Sequence, residues 1–126
     1  MKKFFENTSD PFWAIFRILV GFLFFAHGAQ KLLGWFTDNA TVQLMSLFGL
    51  AGIIEIVVGI LLILGLFAKY AALLGALEMI GAYVQVHLKT GILPWNNGGE
   101  LALLYMLAFL AIMSKGPGIW AIDKSK

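Results

Sequence analysis

A chain of 126 residues that is 60% hydrophobic and 13% charged departs from soluble domains, which are about 45–50% apolar and about 25% charged. Its net charge of +2 is too small to suggest nucleic-acid binding, and the lysines form no basic stripe. The absence of cysteine excludes disulfides, thiolate metal sites, iron–sulfur clusters and cysteine redox chemistry.

Four apolar segments follow one another, with no linker or low-complexity tract between them, so a single domain over residues 1–126 is expected. The first runs from about Pro11 to Gly34, with Asp10 as predicted N-cap and Pro11 at the first helical position. Its apolar run, Phe12 to Leu33, outlasts the roughly 7–15 residues of a signal-peptide core and contains Arg17, so a retained membrane helix is expected. A short interfacial helix is expected near Thr41 to Leu47. The second segment covers about Leu47 to Phe67 and the third about Tyr70 to Leu88. The fourth runs from about Gly98 to Ser114, closed by Lys115-Gly116-Pro117-Gly118. About 20 helical residues cross a bilayer core about 30 Å thick. The fourth segment is uninterrupted only from Leu101 to Met113, so it must recruit Gly98, Gly99 and Glu100. The predicted architecture is an all-α membrane protein with four transmembrane helices in an antiparallel bundle.

Four spans put Lys2, Lys3, Lys69, Lys115, Lys124 and Lys126 on one side, against Lys31 and Lys89 on the other. The positive-inside rule then makes both termini cytoplasmic, in a multi-pass protein of the inner (plasma) membrane. Trp13 and Trp120 fall at the cytoplasmic interface and Trp35 and Trp95 at the outer one, an independent aromatic belt.

Polar groups inside these segments carry the functional signal. A charged side chain at the bilayer centre costs roughly 2.5–3.5 kcal/mol even on the mild insertion scale, so such groups are expected to face a protein or water-lined interior. His27, Gln30 and Lys31 lie in the outer half of the first helix, and Glu55 lies at similar depth in the second. Gln85 and His87 top the third, and Glu100 opens the fourth. Arg17 belongs to the inner half, with Glu78 near the middle. His27 and Lys31, four apart, share a helix face, as do Glu78 and Gln85, seven apart. His87 is nine residues from Glu78, about 180° away on a regular helix, so either one of them is peripheral or the helix is distorted. Glu55 is flanked by Gly52 and Gly59, and Arg17 and Lys31 by Gly21 and Gly28, which makes the charged faces also the close-packing faces.

Each group also has a structural explanation. Lys31–Glu55 or Arg17–Glu78 could be a buried staple, Arg17 and Lys31 could snorkel to the two interfaces, and Glu100 could complement a helix dipole. His27 and His87 sit on different helices, the minimum for bis-imidazole haem ligation. Proton handling by imidazole and carboxylate is the more economical reading, so neither haem nor a metal centre is expected.

Arg17-x3-Gly21-x5-His27-Gly28-x2-Lys31, Glu55-x3-Gly59-x5-Gly65-Leu66, His87, Gly99-Glu100 and Lys115-Gly116-Pro117-Gly118-x4-Asp123 together resemble the DoxX/DoxD family of small four-span membrane proteins. The resemblance covers about residues 13 to 123. It departs from the family pattern at Lys69, where many relatives carry Arg, and at Ala68, where they often carry Thr. It implies kinship with the small membrane subunit of a thiosulfate:quinone oxidoreductase, and hence a quinone-linked or redox-partner role.

The expected function is therefore a small membrane subunit of a quinone-linked oxidoreductase assembly, with a quinone or similar lipophilic molecule in an outer-half cavity. His27 and Glu55 would exchange protons with a quinone oxygen and Lys31 would stabilise the anionic form, which makes these three the catalytic candidates. Arg17, Gln30, Glu78, Gln85, His87 and Glu100 are the binding candidates. Expected partners are membrane lipid, a redox protein that supplies electrons and, as an open option, further copies of the chain. The alternatives are a non-catalytic adaptor or assembly protein, and a lipid- or metabolite-binding or transport protein using the same cavity.

Overall fold

The computed structural model describes residues 1–124; Lys126, counted above on the lysine-rich side, lies outside them. Helix α1 spans Lys2–Leu33. It starts nine residues before the expected Pro11, which sits inside it, so Asp10 is not its N-cap. Proline cannot donate to the carbonyl four residues back, a loss that usually favours a helix start at this position. Here the preceding turns persist, with Thr8 Oγ1 donating to Phe4 O at 2.9 Å and Ser9 Oγ to Glu6 O at 3.2 Å.

Gly34, at φ 71°, ends α1 with its N–H on Ala29 O, a left-handed position that favours glycine. The following segment folds back through Val42 N–H to Lys31 O at 2.8 Å. It is irregular, and the helix expected at 41–47 does not form before α2. Helix α2, Leu47–Leu64, is capped by Ser46 Oγ, which accepts Gly49 N–H at 3.0 Å. Helix α3, Ala68–Ala82, passes directly into a π-helical segment, Tyr83–His87. Leu88 N–H closes that segment by bonding Tyr83 O, five residues back, at 2.9 Å. One turn, α4 (Pro94–Asn97), precedes α5 (Glu100–Lys115).

Two hairpin-like pairs make the bundle: α1 packs chiefly on α2, and α3 on α5. The α1–α2 seam is backbone on backbone. A Cβ on Gly21 would stand 2.8 Å from Gly59 O, one on Gly59 2.6 Å from Gly21 O, and one on Gly28 2.6 Å from Gly52 O. Between α3 and α5 the ring of Phe109 fills the place of a side chain at Gly75. Phe24 of α1 joins the pairs, its ring centroid 4.7 Å from Phe109 and 5.2 Å from Tyr105.

The outer surface inverts the soluble pattern. Leu19, Leu23, Val57, Leu73, Leu77, Leu104 and Leu107 are exposed, while Arg17 and Glu55 are buried. An apolar coat around a charged interior suits lipid as solvent. Helices α1 and α2 are long and apolar enough to cross a membrane.

One end of the bundle is closed by hydrogen bonds. Arg17 is fully buried. Its Nε donates to Leu62 O at 2.9 Å, Nη1 to Pro117 O and to Ile119 O (3.0 Å), and Nη2 to Trp120 O at 2.7 Å. The last carbonyls of a helix lack intrahelical donors, and the planar guanidinium fork supplies one to α2 while gathering the C-terminal tail. Of the alternatives open for Arg17, the Arg17–Glu78 pair is therefore not formed, and Arg17 does not snorkel. Asp123 completes this end: its two carboxylate oxygens accept Phe67 N–H and Ala68 N–H at 2.9 Å each, capping α3 from 55 residues away. Trp13 Nε1 donates to Gly116 O at 2.9 Å, and Lys115 lies 4.7 Å over its ring.

Three variants test this frame. Gly59→Leu is expected to lower stability in detergent by about 1–3 kcal/mol or more, as overpacking against a neighbouring backbone does. Gly81→Ala, with nothing within 4 Å of the added carbon, should leave the melting temperature unchanged or raised. Arg17→Met should free the tail, with tryptic cleavage after Lys115 faster by roughly 30-fold, the equivalent of about 2 kcal/mol from orphaned carbonyls. Cleavage at the wild-type rate would show that the guanidinium does not hold the tail.

Candidate functional site

At the other end, the C-terminal half of α1, the N-terminal half of α2, the end of α3 with its π-helical segment, and the start of α5 border an open-sided cavity of about 480 Å³. Its walls are mainly apolar, with Phe24, Phe48, Met79, Leu101 and Tyr105 among them. The polar groups come from three helices. Lys31 Nζ lies 2.5 Å from Glu55 Oε2, with the glutamate side chain 1% exposed and the lysine 31%. The glycine seam permits this pair, because Gly28 and Gly52 bring the two backbones together one turn away. Glu78 of α3 adjoins Glu55. Oε1 of each glutamate is buried without a hydrogen-bond partner. His27 borders the same space, its ring edge-on to Tyr105 at 5.7 Å and 86°.

A regular α3 would turn His87 away from Glu78. The π-helical segment resolves the conflict: its wider turn rotates the residues after Ala82, and both Glu78 and His87 line the cavity. His87 Nδ1 is 3.2 Å from Asn97 O. A carbonyl can only accept, so Nδ1 carries a hydrogen, and in the neutral ring Nε2 is the acceptor. Asn97 also fixes the loop, donating to Gly91 O at 3.0 Å and to the Tyr83 hydroxyl at 3.2 Å, and accepting Gly99 N–H at 2.8 Å.

Of the residues singled out by sequence, His27, Lys31, Glu55, Glu78, Gln85 and His87 border the cavity. Three do not. Arg17 serves the opposite end, Gln30 Nε2 reaches Phe36 O at 3.4 Å in the loop after α1, and Glu100 is exposed in the first turn of α5, where a negative charge suits the helix dipole. The apolar lining was missed by sequence reasoning, Tyr105 and Phe24 among it. Tyr105 had a usable signal, a lone tyrosine within the fourth apolar run. Phe24 had none, being one of 11 phenylalanines.

Two acids and one lysine share this end. The cluster is electrically balanced only when one further positive charge, a proton or a ligand's, resides on it, because unpaired charge is costly in an apolar wall. The cluster therefore presents both donors and acceptors at the edge of an apolar space.

The DoxX family profile matches residues 12–88. The chain belongs to the DoxX family. The matched stretch carries Lys31, Glu55, Glu78 and His87, whereas Tyr105 and the Asp123 tail lie beyond it. The chain is 42% identical over 124 residues to an uncharacterized protein of Haemophilus influenzae, covering 94% of this chain and 92% of that one. It is 29% identical over 116 residues to the Bacillus subtilis protein named "Putative oxidoreductase CatD", covering 86% and 82%. It is 28% identical over 125 residues to the uncharacterized membrane protein Rv3486 of Mycobacterium tuberculosis, covering 86% and 77%. No solved structure matches the DoxX chain. Family, relatives and apolar helices agree on a membrane location.

A double-mutant cycle measures the central contact in this DoxX protein. Lys31→Met and Glu55→Gln, alone and together, should give a coupling of about 1–3 kcal/mol in detergent unfolding. Strict additivity would mean that the ion pair does not form in solution.

Proposed function

We propose that this DoxX protein is a single-domain, multi-pass protein of the inner membrane with four spans and both termini cytoplasmic. The spans are α1, α2, α3 with its π-helical end, and α5. Supporting this, α5 with its 16 residues is about 24 Å long, and Gly98 and Gly99 extend it toward the interface. Lys2, Lys69 and Lys124 fall together on one side under this topology.

Within it, the cavity binds a quinone or similar lipophilic ring for a quinone-linked oxidoreductase assembly. The observation that carries the reading is the polar cluster of Lys31, Glu55, Glu78 and His27 at the edge of an apolar cavity of about 480 Å³, within the usual range of about 300–1,000 Å³ for small-molecule sites. The name of the Bacillus subtilis relative points the same way. The quinone, as substrate, takes two electrons and two protons to become the hydroquinone, and a redox partner protein supplies the electrons. Phe24, Phe48 and Tyr105 hold the ring and exclude water. Lys31 Nζ, steadied by Glu55, donates to a ring oxygen and stabilises charge that develops there. His27 and Glu78 hold and pass the protons, and His87 with Gln85 lines the route to the extracytoplasmic side.

The Lys31–Glu55 pair joins α1 to α2, which favours a second reading: a non-catalytic adaptor whose polar cluster specifies the bundle. The two separate in lipid nanodiscs. Decylubiquinone is expected to stabilise the protein by about 2.7 kcal/mol at a concentration one hundred times its Kd, and Lys31→Met should abolish most of that gain. An unmoved melting temperature would leave the adaptor as the better account. For topology, single cysteines placed at Lys2, Lys69 and Lys124 of this cysteine-free chain should react only from the cytoplasmic side, and one at Lys89 only from the other.

A further inference from the structure

The Arg17 end of the bundle carries a second recess, which the quinone reading does not use. A groove of about 640 Å³ runs between the start of α3 and the chain that leaves α5, with Lys69, Lys115, Lys124 and Tyr70 on its walls and Asp10 and Asp123 beside them. Lys69 Cε lies 3.2 Å from the place a Cβ on Gly116 would take, so its stem crosses from α3 to the end of α5. Lys115 Nζ stands 4.7 Å over the Trp13 ring, a contact with the π-face that leaves ammonium hydrogens unspent. Among the described residues the ion pair is Lys31–Glu55, and none of these three lysines is paired with a carboxylate. Asp123 gives its two oxygens to the N–H groups of Phe67 and Ala68 at 2.9 Å each, and Asp10 is exposed. The recess thus gathers three cations against two acids, one of which is already committed to the backbone.

An apolar track leads out of the same groove. Tyr70, Leu73, Leu74 and Leu77 are all exposed, and their spacing of three, four and seven residues puts them on one face of α3. A soluble anion would meet the lysines and leave that face bare, whereas an amphiphile meets both. In the four-span arrangement this end stands at headgroup level, where basic pockets between helices take lipid phosphates. A zwitterionic headgroup brings a cation of its own into a recess that already has three, and an anionic one does not. We propose that the groove is a site for an anionic phospholipid, with its phosphate held by Lys69 and Lys115, Lys124 at the rim, and one acyl chain along the face from Tyr70 to Leu77. The site rests on the four-span reading and is independent of the quinone reading. A phosphate between Lys69 and Lys115 ties the start of α3 to the end of α5, beside the tail that Arg17 and Asp123 hold.

The test uses the full chain in dodecyl maltoside micelles, with bound lipid counted by native mass spectrometry. The probes are dioleoylphosphatidylglycerol, dioleoylphosphatidylcholine and inorganic phosphate. The first phosphatidylglycerol is expected to bind at least tenfold more tightly than the first phosphatidylcholine, and an equal concentration of inorganic phosphate should displace less than a tenth of it. A lysine near an anionic lipid surface contributes roughly fivefold in affinity, so Lys69→Gln with Lys115→Gln should shrink the preference to threefold or less. Lys2→Gln with Lys3→Gln removes the same charge from the same end but outside the groove, and should leave the preference within twofold of the unaltered chain. Equal loss in the two double variants would show diffuse attraction in place of a site and overturn the proposal. Displacement by inorganic phosphate would reassign the groove to a soluble anion and overturn it as well. The cysteine labelling above reads the four-span arrangement separately, so equal binding of the two lipids overturns this site while leaving that arrangement standing.

Discussion

The contact between α1 and α2 sets the rest of the molecule. Two glycine pairs seven residues apart, Gly21 with Gly59 and Gly28 with Gly52, let the helices meet at their backbones. Side chains of ordinary size there would push the helices apart, and the long cationic side chains of α1 could not reach their partners. With the seam closed, Arg17 reaches a carbonyl at the end of α2 and Lys31 reaches Glu55 nearer its start. Helical side chains lean toward the N-terminus of their own helix, so Lys31 meets a residue lying about a turn below its own level. Steric smallness at four positions thus determines where the two cationic side chains end up.

Those charges are handled in opposite ways. At the Arg17 end every contact is local and closed: a guanidinium among carbonyls, a carboxylate on two helix N–H groups, an indole on a backbone oxygen. These three side chains spend their hydrogen bonds on the backbone. At the Lys31 end one acid is paired by one oxygen only, a second acid has no cation of its own, and the space beside them is open. The first arrangement is structural and the second is the one on which chemistry can act.

Much of this was legible in the sequence. The apolar segments, the glycines on the charged faces and the shared depth of His27, Lys31 and Glu55 all follow from spacing and from the cost of charge in an apolar medium, whereas Glu78 was placed nearer the middle. What was not legible depended on distant backbone. The partners of Arg17 are carbonyl groups, which carry no residue signature, so an acid such as Glu78 looked like the natural counterion. The distortion at Tyr83–His87 could be posed only as one horn of a dilemma about angles, because a π turn has no compositional mark. The start of α1 was misplaced because proline at a first turn is the commoner arrangement, and residues 2–10 reveal their helicity only in competition with it. Phe24 and Tyr105 were hidden among many apolar residues.

Asp123 imposes an order on assembly. The N-terminal N–H groups of α3 stay unsatisfied until a carboxylate 55 to 56 residues further along the chain has been made. At about 5–20 residues per second of synthesis, that interval lasts from roughly three seconds to roughly eleven. Helices α1 and α2 can pair during the wait, since their seam is internal to the first half of the chain, but the start of α3 still lacks its carboxylate cap. The final stretch before residue 124 therefore works as a clasp, and a nascent chain stalled short of it would hold a membrane hairpin with its next helix still untethered.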